Sequence, residues 1–229
     1  MNSATAWTAA GAIFDLDGVL VDTARFHHQA WQRLAGDLGF TLDDALAEQL
    51  KGVGRLAALD IVLAAGGLQV DAAEADALAE TKNRYYLASI EDLTEDALLP
   101  GAHSALLTLA ELGVPTALAS ASRNAGAILR STGLAPLLTT VVDGTVVANA
   151  KPDPAVFLTA AQRLGLASEQ CVVFEDAAAG VEGALRAGCL AVGIGDPDVL
   201  TAAEHVVPSL ARIDWRHHFA DTPTREHAR

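Results

Sequence analysis

The 229-residue chain carries a formal net charge of −14, and 51% of its residues are hydrophobic. This composition is typical of a packed globular protein and excludes extended disorder. The negative charge argues against a nucleic-acid or anionic-membrane partner. No apolar run is long enough to span a bilayer, and no basic-then-apolar leader indicates a signal peptide. Cys171 and Cys189 lack metal-ligand spacing and predict buried thiols of a reducing compartment, so we expect a cytoplasmic protein.

The first part of the chain predicts one strand followed by a long helical segment. Residues 1–7 are expected to form a leader without structure of its own. Residues 11–16, GAIFDL, form a short apolar run that ends at acidic residues, as a buried parallel strand does. From Arg25 to about Leu93 the pattern is helical and rich in Ala and Leu, with no strand between.

From Pro100 onward, strand-like and helical patterns alternate. The strand-like segments are 115–120, the hairpin-like 139–144, 171–176 and 190–195, and the helical segments between them end at glycine. Such alternation predicts a doubly wound, Rossmann-like parallel sheet. The predicted architecture is an α/β core of residues 1–23 and 95–229, interrupted by an all-helical cap of residues 24–94. The tail 221–229 is expected to be frayed.

Polar residues cluster where the predicted strands end. Ligands of open α/β sheets bind beyond the carboxyl ends of the strands, so these residues are expected to meet at one edge. Carboxylates held close together repel one another unless a cation lies among them. Mg²⁺ prefers a few carboxylates together with phosphate, and a lysine would neutralise the rest. The residues concerned are Asp15, Asp17, Ser120, Ser122, Lys151, Glu175 and Asp176.

Four of these segments together resemble a known family. DLDGVLVDT, the serine of LASAS, the lysine before PDP and the ED of FEDAAAG resemble, in order, the four motifs of the haloacid dehalogenase superfamily. The dehalogenases of that superfamily lack the second aspartate and the metal, so Asp17 indicates a phosphotransferase. The resemblance implies that Asp15 is the nucleophile and Asp17 the general acid and base. It implies that Ser120 and Lys151 hold the phosphoryl oxygens. The implied Mg²⁺ ligands are Asp15, the backbone carbonyl of Asp17, Asp176 and Glu175, although Glu175 could instead brace the others.

Four further segments resemble the β-phosphoglucomutases of this superfamily, which need a second phosphate site. They are EQLKGVGR, FHHQAW at 26–31 and KN at 82–83 in the cap, and ASASRN in the core. The resemblance implies that Arg55, Ser122, Arg123 and Asn124 grip the distal phosphate. It implies that His27 and Lys82 help the cap to close and orient the sugar hydroxyl. The remaining residues of the implied substrate site are Lys51, Gly52, Val53 and Ala121.

Three positions depart from the pattern. Arg123 stands where lysine is more frequent, Gly54 replaces a serine of the cap loop, and Ala177 follows FED where serine is common. The lysines follow the motifs closely, since Lys51, Lys82 and Lys151 are the only lysines in the sequence and all three occupy motif positions. A compact ammonium suits a phosphate or metal-side role.

The resemblance implies Mg²⁺-dependent interconversion of β-D-glucose 1-phosphate and β-D-glucose 6-phosphate, through an aspartyl-phosphate and a glucose 1,6-bisphosphate. A sugar-phosphate phosphatase is the rival within the superfamily. A non-catalytic sugar-phosphate sensor is the alternative of another class, but a sensor needs no nucleophile paired with a general acid. The expected partner is a small phosphosugar, bound by a monomer. Trp31 is expected to belong to the cap core, four residues from His27 on the same helical face.

Overall fold

The computed structural model describes residues 7–50, 53–91, 93–147 and 149–219. These residues contain a six-stranded sheet in the order β3-β2-β1-β4-β5-β6, in which every neighbouring pair is parallel. This confirms the doubly wound α/β class. The strands are β1 (Gly11–Phe14), β2 (Thr116–Ala119), β3 (Thr140–Val142), β4 (Cys171–Glu175), β5 (Leu190–Ile194) and β6 (His205–Val207).

Among the described residues, five α-helices lie between β1 and β2 in the chain, four of them in the predicted cap segment, and the others follow the later strands. The first four are α1 (Ala24–Asp37), α2 (Asp44–Gln49), α3 (Arg55–Ala65) and α4 (Ala72–Ser89). The fifth is α5 (Ala102–Glu111), and the others are α6 (Ala125–Ser131), α7 (Ala155–Leu164), α8 (Ala178–Arg186) and α9 (Trp215–His218). None of the described helices is long and apolar enough to cross a membrane.

Successive residues of the buried strands point to opposite faces of the sheet, and each face has its own helices. Phe14 and Phe174 pack on the face covered by α5, α6 and α9. Ile13 and Val173 pack on the opposite face, against α7 and α8. A third cluster lies within α1–α4 and contains Trp31, which is 4% exposed. The helical segment therefore has a core of its own, as the prediction of a separate cap requires; the boundaries proposed for it stay a prediction.

The order of the strands determines where a ligand-binding crevice is expected. From β1 the chain passes through α1–α5 to β2 and β3 on one side, and then returns through α7 to β4 on the other side of β1. The carboxyl end of β1 is therefore a topological switch point, where open α/β sheets leave a crevice for ligands.

Three expectations need correction. Trp7 does not belong to an unstructured leader, because it is buried and its ring stacks on His218 with centroids 3.8 Å apart; residues 1–6 and the tail 221–229, which were expected to lack structure, lie outside the described residues. The segment 139–144 is not hairpin-like, because β3 is a parallel edge strand beside β2. A sixth strand, β6, was not expected at all.

Candidate active site

The parallel register brings the strand-end residues to one level. Phe14 of β1 is aligned with Leu118 of β2 and with Phe174 of β4. The backbone N–H of Asp15 donates to the carbonyl of Phe174 at 3.0 Å, and Asp15 is buried. The end of β1 thus places Asp15 beside Glu175, as the sequence predicts.

Lys151 lies at the centre of this group. Its Nζ donates to Oδ1 of Asp15, to Oε1 of Glu175 and, at 3.1 Å, to the carbonyl of Ala119. Burial alone lowers the pKa of a lysine, but the charges of Asp15 and Glu175 outweigh it and raise the pKa of Lys151 above its ordinary value. Burial, with Asp15, raises the pKa of Glu175 to about 7, although Lys151 opposes this rise. Lys151 is therefore a permanent cation fixed between two carboxylates.

Two glycines leave room for the carboxylates of Glu175 and Asp176 to pack against the backbone. A Cβ at Gly180 of α8 would lie 2.0 Å from the carboxyl carbon of Glu175. A Cβ at Gly18, whose φ of +88° already favours glycine, would lie 2.1 Å from Oδ2 of Asp176. Gly18 of the first motif thus leaves room for the carboxylate of Asp176, and Gly180 of the last motif leaves room for that of Glu175.

The acids form a group that suits a divalent cation. Carboxylate oxygens of Asp15, Glu175 and Asp176 lie within 4.8 Å of one another. Lys151 supplies one positive charge for these three acids, so a further cation would reduce the remaining repulsion. Oxygen donors of this kind fit Mg²⁺. The carboxylate of Asp17 does not belong to the group, and the use of its backbone carbonyl stays a prediction.

Asp17 faces the base of the cap. Its Oδ1 accepts a hydrogen bond from the Thr23 hydroxyl, and Nε2 of His27 lies 3.8 Å from the same oxygen. Burial and the charge of Asp15 raise the pKa of Asp17 to about 6, while Thr23 and Lys82 oppose the rise. A carboxyl with this pKa exchanges a proton near neutral pH, which suits a general acid and base.

A buried lysine of α4 supports His27. Nζ of Lys82 lies 2.8 Å from Nδ1 of His27, and 4.8 and 5.2 Å from the ring centroids of Trp31 and Tyr86. Burial and the charge of Arg55 lower the pKa of Lys82 to about 7. Burial and the charge of Lys82 lower the pKa of His27 well below its usual value, so the imidazole is neutral at pH 7. With Nδ1 accepting from Lys82, the ring proton lies on Nε2, towards Asp17.

A second polar group contains the residues expected at a distal phosphate. Backbone N–H groups of Ser122 and Asn124 donate to the hydroxyl oxygens of Ser120 and Ser122 at 3.1 and 3.2 Å, which fixes the loop after β2. Nη2 of Arg55 donates to Oδ1 of Asn83 at 2.9 Å. Burial lowers the pKa of Arg55, and the charge of Arg123 adds to this lowering, while Glu80 opposes it. Arg55 and Arg123 thus bring two positive charges to the same cavity.

Both groups open into one cavity of about 1190 Å³ between the cap helices and the strand ends. Lys151 and Glu175 are buried next to Asp15. Lys51 and Gly52 lie outside the described residues. The other predicted site residues line the cavity: Asp15, Asp17, His27, Val53, Arg55, Lys82, Ser120, Ala121, Ser122, Arg123, Asn124 and Asp176.

The sequence interpretation gave no role to Thr23 or Asn83 and assigned Trp31 to the cap core alone. Trp31 belongs to that core, but its ring also lies beneath the Lys82 ammonium at the cavity wall. Thr23 follows the DLDGVLVD motif directly, so its position could have indicated a contact with Asp17. Asn83 follows Lys82, which could have suggested that it also faces the cavity.

Comparisons with known proteins find similarity in both sequence and structure. Residues 10–188 match the family model of the haloacid dehalogenase-like hydrolases. The β-phosphoglucomutase of Bacillus subtilis (strain 168) is 40% identical over 85% of this chain and 87% of its own. The validoxylamine A 7'-phosphate phosphatase of Streptomyces hygroscopicus subsp. limoneus is 30% identical over 90% of this chain and 96% of its own. The crystal structure of a Clostridium difficile β-phosphoglucomutase superposes with a TM-score of 0.88 at 34% identity, covering 91% of this chain and 95% of that one.

Proposed function

Because the chain belongs to the haloacid dehalogenase-like hydrolase family, we propose that its site is that of a Mg²⁺-dependent phosphotransferase which interconverts β-D-glucose 1-phosphate and β-D-glucose 6-phosphate. The observation that carries this proposal is the pair of guanidinium groups. Arg55 of the cap and Arg123 of the core both line the cavity that contains Asp15, so an anion bound between them would pair with two guanidinium groups. A mutase needs such a second anion site, because its bisphosphate intermediate presents one phosphate to the nucleophile and must hold the other.

In the first half-reaction, an oxygen of Asp15 forms a bond to phosphorus while the bond from phosphorus to the sugar oxygen breaks. Lys151, fixed against Asp15, compensates the charge on the carboxylate and on the phosphoryl oxygens. Asp17, with a pKa of about 6, gives its proton to the departing sugar oxygen. The product is an aspartyl-phosphate and a free hydroxyl.

In the second half-reaction, the free hydroxyl of a bound glucose monophosphate gives its proton to Asp17 and attacks the phosphorus, so that glucose 1,6-bisphosphate forms. The bond to Asp15 breaks, and the phosphoryl group reaches the new position. The Thr23 hydroxyl donates to the Asp17 carboxylate and favours its ionised form while it waits for that proton. The cap helices cover the site and exclude water, the competing acceptor.

Asp15, Glu175 and Asp176 would hold the Mg²⁺, with a fourth oxygen expected from the backbone of Asp17. When bound, the ion neutralises charge on the transferring phosphoryl group.

A primed coupled assay tests the proposal. Purified protein is mixed with Mg²⁺, β-glucose 1-phosphate and a trace of β-glucose 1,6-bisphosphate, and both glucose 6-phosphate and inorganic phosphate are followed. We expect glucose 6-phosphate to accumulate with little free phosphate, and no turnover in an Asp15→Asn variant. Steady phosphate release without isomerisation would favour the rival phosphatase, which the phosphatase among the relatives supports. If neither glucose 6-phosphate nor inorganic phosphate formed, the non-catalytic sugar-phosphate sensor would be the remaining hypothesis.

A further inference from the structure

The ring of Phe157 lies against the ammonium of Lys151. Nζ of Lys151 is 5.1 Å from the centroid of that ring, within the distance at which an aromatic face attracts a cation. Both residues are buried, and such an attraction is stronger where water is excluded. The other lysine that the structure describes, Lys82, also lies over aromatic rings, those of Trp31 and Tyr86.

The sequence between the two residues limits how far apart they can lie. In the segment KPDPAVF, which begins at Lys151 and ends at Phe157, two prolines have a fixed φ and make the connection stiff. Oδ1 of Asp153 accepts a backbone N–H at 2.9 Å where α7 begins. The backbone N–H of Phe157 donates to the carbonyl of Pro154 at 3.0 Å, so the ring belongs to the first turn of that helix.

Helix α8 packs against the same ring. A Cβ at Gly183 would lie 3.1 Å from Cε2 of Phe157 and 3.4 Å from the carbonyl oxygen of Pro152, so glycine lets α8 approach closely. Phe157 also belongs to the buried cluster that contains Val173 of β4. All of these contacts lie within the core, so the cap is not needed to hold the ring.

The oxygen partners of Lys151 change during the proposed reaction, whereas the ring does not. The three N–H groups of the ammonium are taken by Asp15, Glu175 and the carbonyl of Ala119. Asp15 would form a bond to phosphorus, and Glu175 would share its charge with Mg²⁺. A phenyl ring exchanges no proton and forms no bond in this reaction, so its attraction for the ammonium is constant.

We propose that Phe157 is a positioning residue for Lys151: its ring holds the ammonium at the end of β1, where the ammonium compensates the charge of Asp15 and of the transferring phosphoryl group. The inference rests on the proposed function only in that Asp15 accepts a phosphoryl group, and it applies equally to the rival phosphatase. It gives a role in the reaction to a residue that does not line the cavity.

The first test measures the contact without any reaction. The chain has only three lysines, so protein labelled with ¹³C at the lysine Cε gives three NMR signals, which the single variants Lys51→Arg and Lys82→Met assign. Protons above an aromatic ring are shifted upfield by its ring current. We expect this shift for the Cε protons of Lys151 in the wild type, and its loss in Phe157→Leu. An ordinary shift in the wild type, or no change on substitution, would overturn the contact.

The second test separates attraction by the ring electrons from simple packing. Phenylalanines with one, two or three fluorine atoms, incorporated at position 157, withdraw electrons from the face of the ring and nearly keep its shape. The rate at which acetyl phosphate labels Asp15 in the presence of Mg²⁺ should fall stepwise along this series, by about three- to tenfold for three fluorines. A ring that only fills space would give equal rates, which would contradict the inference.

The same series at Phe40 is the matched control. Phe40 packs against the core of the cap, and among the described residues no cation or second ring contacts it. We therefore expect equal labelling rates along the Phe40 series. An equal fall in both series would also contradict the inference, because fluorine would then act without the ammonium.

The two proposals fail in different ways. If the label on Asp15 passed to water and not to glucose 6-phosphate, the mutase function would fail, while the fluorine series would still decide the role of Phe157. If acetyl phosphate labelled Asp15 equally along the series, only the role of Phe157 would fail. A wild-type protein that took no label would overturn both, because each needs Asp15 to accept a phosphoryl group.

Discussion

Lys82 is predicted to lower the stability of the protein. It is 3% exposed, and its pKa falls from an ordinary 10.5 to about 7. At 1.36 kcal/mol per pKa unit, this lowering corresponds to about 4–5 kcal/mol that the charged form loses on folding. The contacts of its ammonium with the rings of Trp31 and Tyr86 offset about 1–2 kcal/mol each. We therefore expect Lys82→Met to raise the free energy of unfolding at pH 7 by about 1–3 kcal/mol, with a loss of activity.

The gain in stability from Lys82→Met is expected to fall as the pH rises. Between pH 7 and 10.5 the unfolded chain binds the Lys82 proton more tightly than the folded protein does, so the free energy of unfolding rises with pH through this window. Lys82→Met removes this rise. The difference in free energy of unfolding between Lys82→Met and the wild type should therefore become smaller from pH 7 to 8.5.

Urea unfolding of both proteins at several pH values measures the gap. Lys151→Met is the matched control with the opposite sign, because Lys151 neutralises Asp15 and Glu175, and its loss should destabilise the fold by about 3–5 kcal/mol. A Lys82→Met protein that is less stable than wild type at pH 7 would refute the reasoning.

Three further predictions concern the site. Asp15→Asn should reduce turnover by at least about 10⁴-fold and abolish the phosphate adduct seen by intact-protein mass spectrometry; a persistent adduct would contradict the role of Asp15. Thr23→Val removes a hydrogen bond that lowers the pKa of Asp17, so the limb of the kcat/KM profile near pH 6 should move to higher pH. An unmoved limb would be evidence against Asp17 as the acid. Gly180→Ala should destabilise the protein by about 1–3 kcal/mol in thermal or urea unfolding, because its methyl group would overlap Glu175. Gly36→Ala, with open space in α1, should instead stabilise by about 0.5–1 kcal/mol, and equal gains at both glycines would contradict the overlap.

The parts of the fold that the sequence predicts are those with a local pattern. The strands β1, β2, β4 and β5 are short buried apolar runs between glycine, proline or acidic residues, and the cap helices have a helical pattern throughout. Strand β6 was missed because it has three residues, begins at the exposed His205 and has no alternation. Trp7 was assigned to a leader because its partners, among them Phe174 and His218, come from distant parts of the chain.

The candidate site likewise contains residues that the sequence can place and contacts that it cannot predict. Residues at strand ends, such as Asp15 and Asp176, could be placed from their motifs, since a parallel sheet brings strand ends together. The hydrogen bond from Asn124 to Asn83 could not be predicted, because it joins residues 41 positions apart on the two sides of the cleft. The closeness of Asp176 to Gly18 likewise depends on how two loops pack, which no single segment encodes.

The central claim is that the phosphoryl group on Asp15 passes to a sugar hydroxyl rather than to water, and one partition measurement tests it directly. Asp15 is labelled with ³²P from acetyl phosphate in the presence of Mg²⁺, and the labelled protein is then given unlabelled glucose 6-phosphate or buffer alone. We predict that most of the label appears in glucose 1,6-bisphosphate when the sugar is present. Release of the label as inorganic phosphate at the same rate with and without the sugar would contradict the mutase account.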